Sequence, residues 1–200
     1  MTWIKTIKYA DAQGPLKALY DKIKGPKDYI DNIMLAHSLR PHTLKGHMSL
    51  YKNALHHPDN LLPKWFLEAI GVYVSLLNGC EYCVRHHTRG MARHIKDDNI
   101  SAQIVTALEN DAPDNYFTGN ELAIFDYVRL LTLEPHKVSR KAVSLLQVTG
   151  IPDEEILEIN QVVAYFAYAN RTVQGLGIDT EGEIIGLSPN DEDKEDWRHQ

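Results

Sequence analysis

The sequence predicts an all-α protein, and three observations carry that expectation. Apolar residues recur at i, i+3, i+4, i+7, as in Trp65, Phe66, Ala69, Ile70, Tyr73, Val74 and Leu77. Valine and isoleucine are scattered at the same helical spacing, so few stretches read as strands. Prolines and glycines fall where helices would start and stop.

Taken in order, residues 1–13 read as an irregular arm. Gly14-Pro15 opens a short helix through Leu16, Leu19, Tyr20 and Ile23, closed by Gly25-Pro26, since proline suits the first helical turn and glycine the exit. A second helix is expected from about Tyr29 to Leu39, stopping before Pro41 because a residue preceding proline is pushed out of helical geometry. A third covers His42 to His56, with Leu44, Met48, Tyr51 and Leu55 on its apolar side. Pro63 begins a fourth through Leu77, broken by Asn78-Gly79, and a fifth runs from about Cys80 to His94. Further helices are expected over Ile100 to Glu109, Asn120 to Leu133 and Ser139 to Val148, and from Asp153 to about Gln174. The last contains VVAYFAYA, apolar nearly all round, and is expected to be buried on every side.

About nine helices result, in one domain over residues 1–178, followed by an acidic, aperiodic tail at 179–200 expected to lie on the surface or be partly disordered. A degenerate internal repeat accompanies them. LRPH at 39–42 and the run from Leu62 correspond to LEPH at 133–136 and the run from Ile151. Aligning Glu68 with Glu158 places Asn170 in the slot of Cys80. Two related helical units follow, at about 30–95 and 120–178.

A chain of 200 residues buries enough apolar surface to fold without crosslinks. Its net charge of −6 offers no electrostatic footprint for nucleic acid. Neither a signal peptide nor a membrane span is read, and a cytoplasmic location is expected. In a reducing compartment the only two cysteines, Cys80 and Cys83, point to redox chemistry or metal binding rather than to a structural disulfide.

Placed on a helix, Cys80, Cys83 and His87 stand at i, i+3 and i+7 on one face. Both cysteines fall in the first turn, where free N–H groups and the positive end of the helix dipole favour a thiolate. A thiolate that attacks a peroxide needs its proton removed beforehand and a proton given to the departing oxygen. His87, with Glu68 behind it, can do both, while the second thiol traps the sulfenic acid as a disulfide.

The spacing E-x11-C-x-x-C-x3-H resembles that of the alkylhydroperoxidase D (AhpD)-like, or carboxymuconolactone decarboxylase, superfamily. The string S-x-x-N-G-C-x-Y-C-x-x-H-H, Ser75 to His87, is similar to its peroxidase-related branch. The resemblance covers roughly residues 30–178. It implies an AhpD-like multihelical fold with a duplicated unit, and a peroxiredoxin-type oxidoreductase with an antioxidant role that reduces organic hydroperoxides or hydrogen peroxide by a dithiol–disulfide cycle.

The resemblance also implies site residues. Glu68 matches the relay carboxylate and His87 the relay histidine. Cys80 and Cys83 match the redox pair, with Cys83 the one that meets peroxide. The pattern departs at Tyr82, where alkylhydroperoxidase D itself often has histidine. A phenol does not buffer a proton near neutral pH, but its hydroxyl can donate a hydrogen bond to bound peroxide, so Tyr82 is a candidate substrate-binding residue. Self-association as dimer, trimer or hexamer is implied, as is an external thiol or lipoyl-type reductant.

No cofactor and no metal are called for. Two readings stand beside this one: zinc held by Cys80, Cys83, His87 and a fourth ligand, and a carboxymuconolactone-decarboxylase-like reaction on the same fold. His86 reads as a mere neighbour on the helix, and His42, His47, His56, His57 and His94 as surface residues. Tyr165, Phe166 and Tyr168 read as core or oligomer interface. Gly175-Leu176-Gly177 reads as a helix exit, because the third glycine of a dinucleotide fingerprint is absent.

Overall fold

The computed structural model describes residues 2–200. Among the described residues are nine α-helices and four 3-10 turns, and the β-pairing is confined to one bridge between Pro189 and His199. The helices are α1 Gly14–Ile23, α2 Asn32–Ala36, α3 Pro41–Leu55, α4 Lys64–Leu77, α5 Glu81–Ile95, α6 Asp98–Glu109, α7 Gly119–Leu133, α8 Arg140–Val148 and α9 Asp153–Leu176. They agree with the expected positions to within a residue or two, α2 excepted. That helix is five residues long because Tyr29 to Asp31 are extended, with the Tyr29 carbonyl accepting from Gly25 and its hydroxyl from Ile184. Beyond Ala36 the bonds tighten to i, i+3, His37 to Met34 and Ser38 to Leu35, and the helix is not continued.

The chain forms two units: residues up to Asn60 with Arg171–Gln200, and Leu61–Asn170. In the first, Leu16, Tyr20, Ile23, Leu44, Met48 and Leu55 make an apolar core between α1 and α3. The carbonyl of Leu176 accepts from the Trp3 amide, and Gly177 takes a left-handed φ of 60° under the Trp3 indole. Bonds from Gly177 to Gln174 and from Ile178 to Val173 complete the helix exit expected there.

Residues 179–200 carry little regular structure, but they are tied to this unit by buried polar groups. His199 Nδ1 lies 2.5 Å from Asp31 Oδ2, and His56 Nδ1 lies 2.6 Å from Asp191 Oδ1. Lys52, 1% exposed, donates to the carbonyls of Asn190 and Asp193. His47 and His56 are therefore buried, not surface residues, whereas His42 is exposed. Their side chains sit in a ring cluster with His37 and Tyr51, which a reading of α3 by itself cannot see.

The second unit is organised by the hairpin of α4 and α5, which make the most extensive helix contact. Every α4 residue from Phe66 to Ser75 is buried. Phe66, Tyr73, Phe117 and Phe125 pack ring on ring, with centroids 4.3 to 6.0 Å apart, an arrangement that favours edge-to-face contact. Glu158, the repeat's counterpart of Glu68, accepts from the amides of Leu61 and Leu62 and steers the chain into α4. The α9 segment is not buried all round. Tyr165 and Phe166 are core, while Ala164 is exposed and Tyr168 is 39% exposed.

Candidate active site

The Leu61–Asn170 unit contains every residue of the candidate site. Helix α4 ends in a left-handed glycine, Gly79, with φ 66°. The Gly79 amide bonds to the Leu76 carbonyl and the Cys80 amide to the Ser75 carbonyl at 2.8 Å. That exit turns the chain directly into the next helix, so Cys80 is both the residue after one helix and the N-cap of α5. Cys83 is then the third residue of α5, and His87 stands one turn further along the same face.

Three helix faces converge. Glu68, Gly71 and Ser75 stand at i, i+3, i+7 on α4; Cys83, His87 and Gly90 at i, i+4, i+7 on α5; Phe166 and Asn170 at i, i+4 on α9. His87 Nδ1 is 2.6 Å from Glu68 Oε2, so the imidazole N–H donates to the carboxylate and fixes the ring's orientation. Both are buried. Gly90 makes room for the carboxylate, because a Cβ there would lie 2.7 Å from Glu68 Oε1. Gly71 does the same for Phe166, whose ring would collide with any side chain at that position. Phe166 meets His87 edge-on at 4.6 Å between centroids.

Cys80 and Cys83 are free thiols, 1% and 3% exposed. They are hydrogen-bonded to each other, and their tendencies to ionise move in opposite directions. The Cys83 S–H beside it holds the Cys80 thiol below its usual range, helped by the Cys83 amide and the Asn170 side chain. Cys83 moves the other way, raised well above the ordinary thiol range by its bond to Cys80 and by burial. Ionisation of the pair is thus biased toward Cys80, where the open end of α5 presents its free N–H groups. The phenol of Tyr165, buried close to Cys83 and Glu68, is held protonated far above its usual value by burial.

Tyr82 is buried and stacks on His86 at 4.7 Å, so His86 is more than a passive neighbour on the helix. His94 is partly exposed. Among the described residues no group of three His, Cys, Asp or Glu side chains is arranged to hold a metal ion. None of their helices is long and apolar enough to cross a membrane. Gly90, Gly71, Phe166 and Asn170 are site residues that the motif does not contain. A glycine inside a helix, where it costs about 1 kcal/mol against alanine, is the one local signal that something approaches closely there.

Residues 41–127 match the sequence model of the carboxymuconolactone decarboxylase family. No curated protein matches the chain. Among solved structures it is similar to an uncharacterized peroxidase-related protein with an alkylhydroperoxidase AhpD core from Ralstonia eutropha JMP134. The TM-score is 0.73 at 20% identity, over 89% of this chain and 91% of the other. An uncharacterized peroxidase-related protein from Silicibacter sp. TM1040 gives a TM-score of 0.67 at 20% identity, over 82% and 81%. The debrominase Bmp8, as a cysteine-to-alanine variant in complex with 2,3,4-tribromopyrrole, gives 0.67 at 19%, over 91% and 93%. The all-α architecture is the AhpD-like fold.

Proposed function

We propose that this chain, a member of the AhpD-like, carboxymuconolactone decarboxylase superfamily, is a thiol-dependent peroxidase that cycles Cys80 and Cys83 between dithiol and disulfide. The observation that carries the reading is the Glu68–His87 pair, held at 2.6 Å one helical turn from a pair of hydrogen-bonded thiols.

The Cys80 thiolate attacks the nearer oxygen of a hydroperoxide. The O–O bond breaks, the sulfur becomes a sulfenic acid, and the departing alkoxide or hydroxide takes a proton from the relay, leaving as alcohol or water. Cys83, deprotonated by His87 with Glu68 holding the imidazolium, attacks the sulfenic sulfur. Water leaves and a disulfide forms. An external dithiol of the lipoyl type then resets the pair by thiol–disulfide exchange and is itself oxidised. Resemblance alone assigns the first attack to Cys83; the downward shift of the Cys80 thiol beside an upward-shifted Cys83 favours Cys80. The Tyr82 hydroxyl is the candidate donor to bound peroxide, and self-association is part of the proposal.

One equivalent of cumene hydroperoxide added to the reduced protein should remove both free thiols and yield one alcohol. If both thiols remain, or if the Cys80→Ser, Cys83→Ser double variant consumes peroxide as fast as the parent, the reading fails. Carboxymuconolactone decarboxylation retained by that double variant would favour the non-redox alternative. About one zinc per chain by elemental analysis would favour the metal alternative.

A further inference from the structure

Asn170 lies outside the sequence motif, yet the internal repeat aligns it with Cys80. Its side chain is wholly buried, 0% exposed, near the end of α9. A buried amide is costly unless its donors and acceptor are all engaged. Here the Oδ1 accepts from Asn78 Nδ2 at 2.9 Å, and the Nδ2 donates to Ser75 Oγ at 3.1 Å. Both partners belong to the turn that presents Cys80. Ser75 is itself fully buried, and its carbonyl receives the Cys80 amide. The amide plane is therefore clamped from two sides against the end of α4, and its side chain is within hydrogen-bonding reach of both sulfurs.

We propose that Asn170 is a positioning residue for the thiol pair: clamped by Ser75 and Asn78, its amide donates to the sulfurs and holds the negative charge of the Cys80–Cys83 couple. The proposal rests on the thiol chemistry above and deepens it. The Asn170 side chain favours the anion at each of the two cysteines, and the Ser75 hydroxyl does so at Cys83. The other titratable groups at this site are His87 from α5, Glu68 from α4 and Tyr165 from α9. The Glu68 carboxylate, paired with His87, opposes a thiolate nearby, and Tyr165 stays a neutral phenol. In the second copy of the helical unit the thiol has been replaced by an amide that serves the thiols of the first.

The test is the thiolate absorbance of the reduced full-length protein at 240 nm as a function of pH, with the double Cys→Ser variant as baseline. Asn170→Ala should raise the midpoint by about one pH unit, a tenfold loss of thiolate at a fixed lower pH. Asn170→Asp, near-isosteric but with a carboxylate oxygen in place of the donor, should raise it further. Asn78→Ala, which loosens one clamp away from the sulfurs, should move it the same way by less. It decides the matter if the Asn170 variants do not fold.

A midpoint unchanged in the folded variants, with only thermal stability lowered, would overturn the proposal by showing a packing role. The readout uses no peroxide. A parent inert to peroxide but with shifted variant midpoints sinks the peroxidase reading alone, and an active parent with unshifted midpoints sinks this one alone.

Discussion

Glu68 shows how one carboxylate is kept in a helix that is otherwise apolar. Ten consecutive residues of α4 are buried, and the charge among them is met by His87 at 2.6 Å. Glu68→Gln keeps the shape but cannot hold an imidazolium, so peroxide turnover should fall about 10²-fold with the fold intact, measured as kcat/KM beside a thermal melt. Gly90→Ala tests the same pair from the other side. The added methyl would meet the carboxylate at 2.7 Å and push it off the imidazole, so a loss of turnover of about tenfold or more should accompany a destabilisation of roughly 1–3 kcal/mol. Unchanged kcat/KM in a folded Gly90→Ala variant would show that the carboxylate need not sit where it does. Glu68, Cys80, Cys83 and His87 were legible from spacing because all four lie within twenty residues on two consecutive helices. Gly90 was not, because its meaning lies in what approaches it from another helix.

At the scale of elements, the α4–α5 hairpin is the part the sequence specified most fully. Helical periodicity gave α4, and Asn78-Gly79 marked its end. What spacing could not give is the left-handed backbone by which Gly79 joins the two helices. Gly79 holds φ 66°, a conformation that costs an ordinary L-residue roughly 1–2 kcal/mol. Gly79→Ala should therefore destabilise the protein by about that amount in urea unfolding, and should also alter the alkylation rate of Cys80, because the strain falls on the bond that orients its amide. An equal effect on stability with no change in thiol reactivity would separate the turn from the site. The shortened α2 and the part-exposed α9 were misread for one reason. Periodicity reports which residues are apolar, and it is silent about Tyr29 being committed to a turn or Ala164 facing outward.

At the scale of the whole molecule, acid stability should be governed by a cluster far from the thiols in sequence. The aperiodic residues 179–200 offered no signal of burial, yet they bring His199 and Asp191 to buried partners in the first unit. His47 is enclosed there beside His37, with ring centroids 4.9 Å apart, and with His199 near enough to repel a second positive charge. Burial, reinforced by those two histidines, pulls the His47 imidazole down from 6.5 to about 3. His37 is lowered as well, chiefly by burial. Between these limits the unfolded chain binds a proton that folded His47 refuses, so protons favour unfolding and stability falls as pH drops from about 6.5 toward 3. The slope from this one residue approaches about 1.4 kcal/mol per pH unit, and above about 7 it vanishes because His47 is neutral in both states. Urea midpoints for the parent should decline steadily across that window. In His47→Leu, which has no imidazole to protonate, the decline should be shallower by an amount of that order, and any change in the midpoint at pH 7.5 reports packing alone. A parent and variant that lose stability in parallel from pH 6.5 to 4 would place the acid sensitivity in groups other than His47.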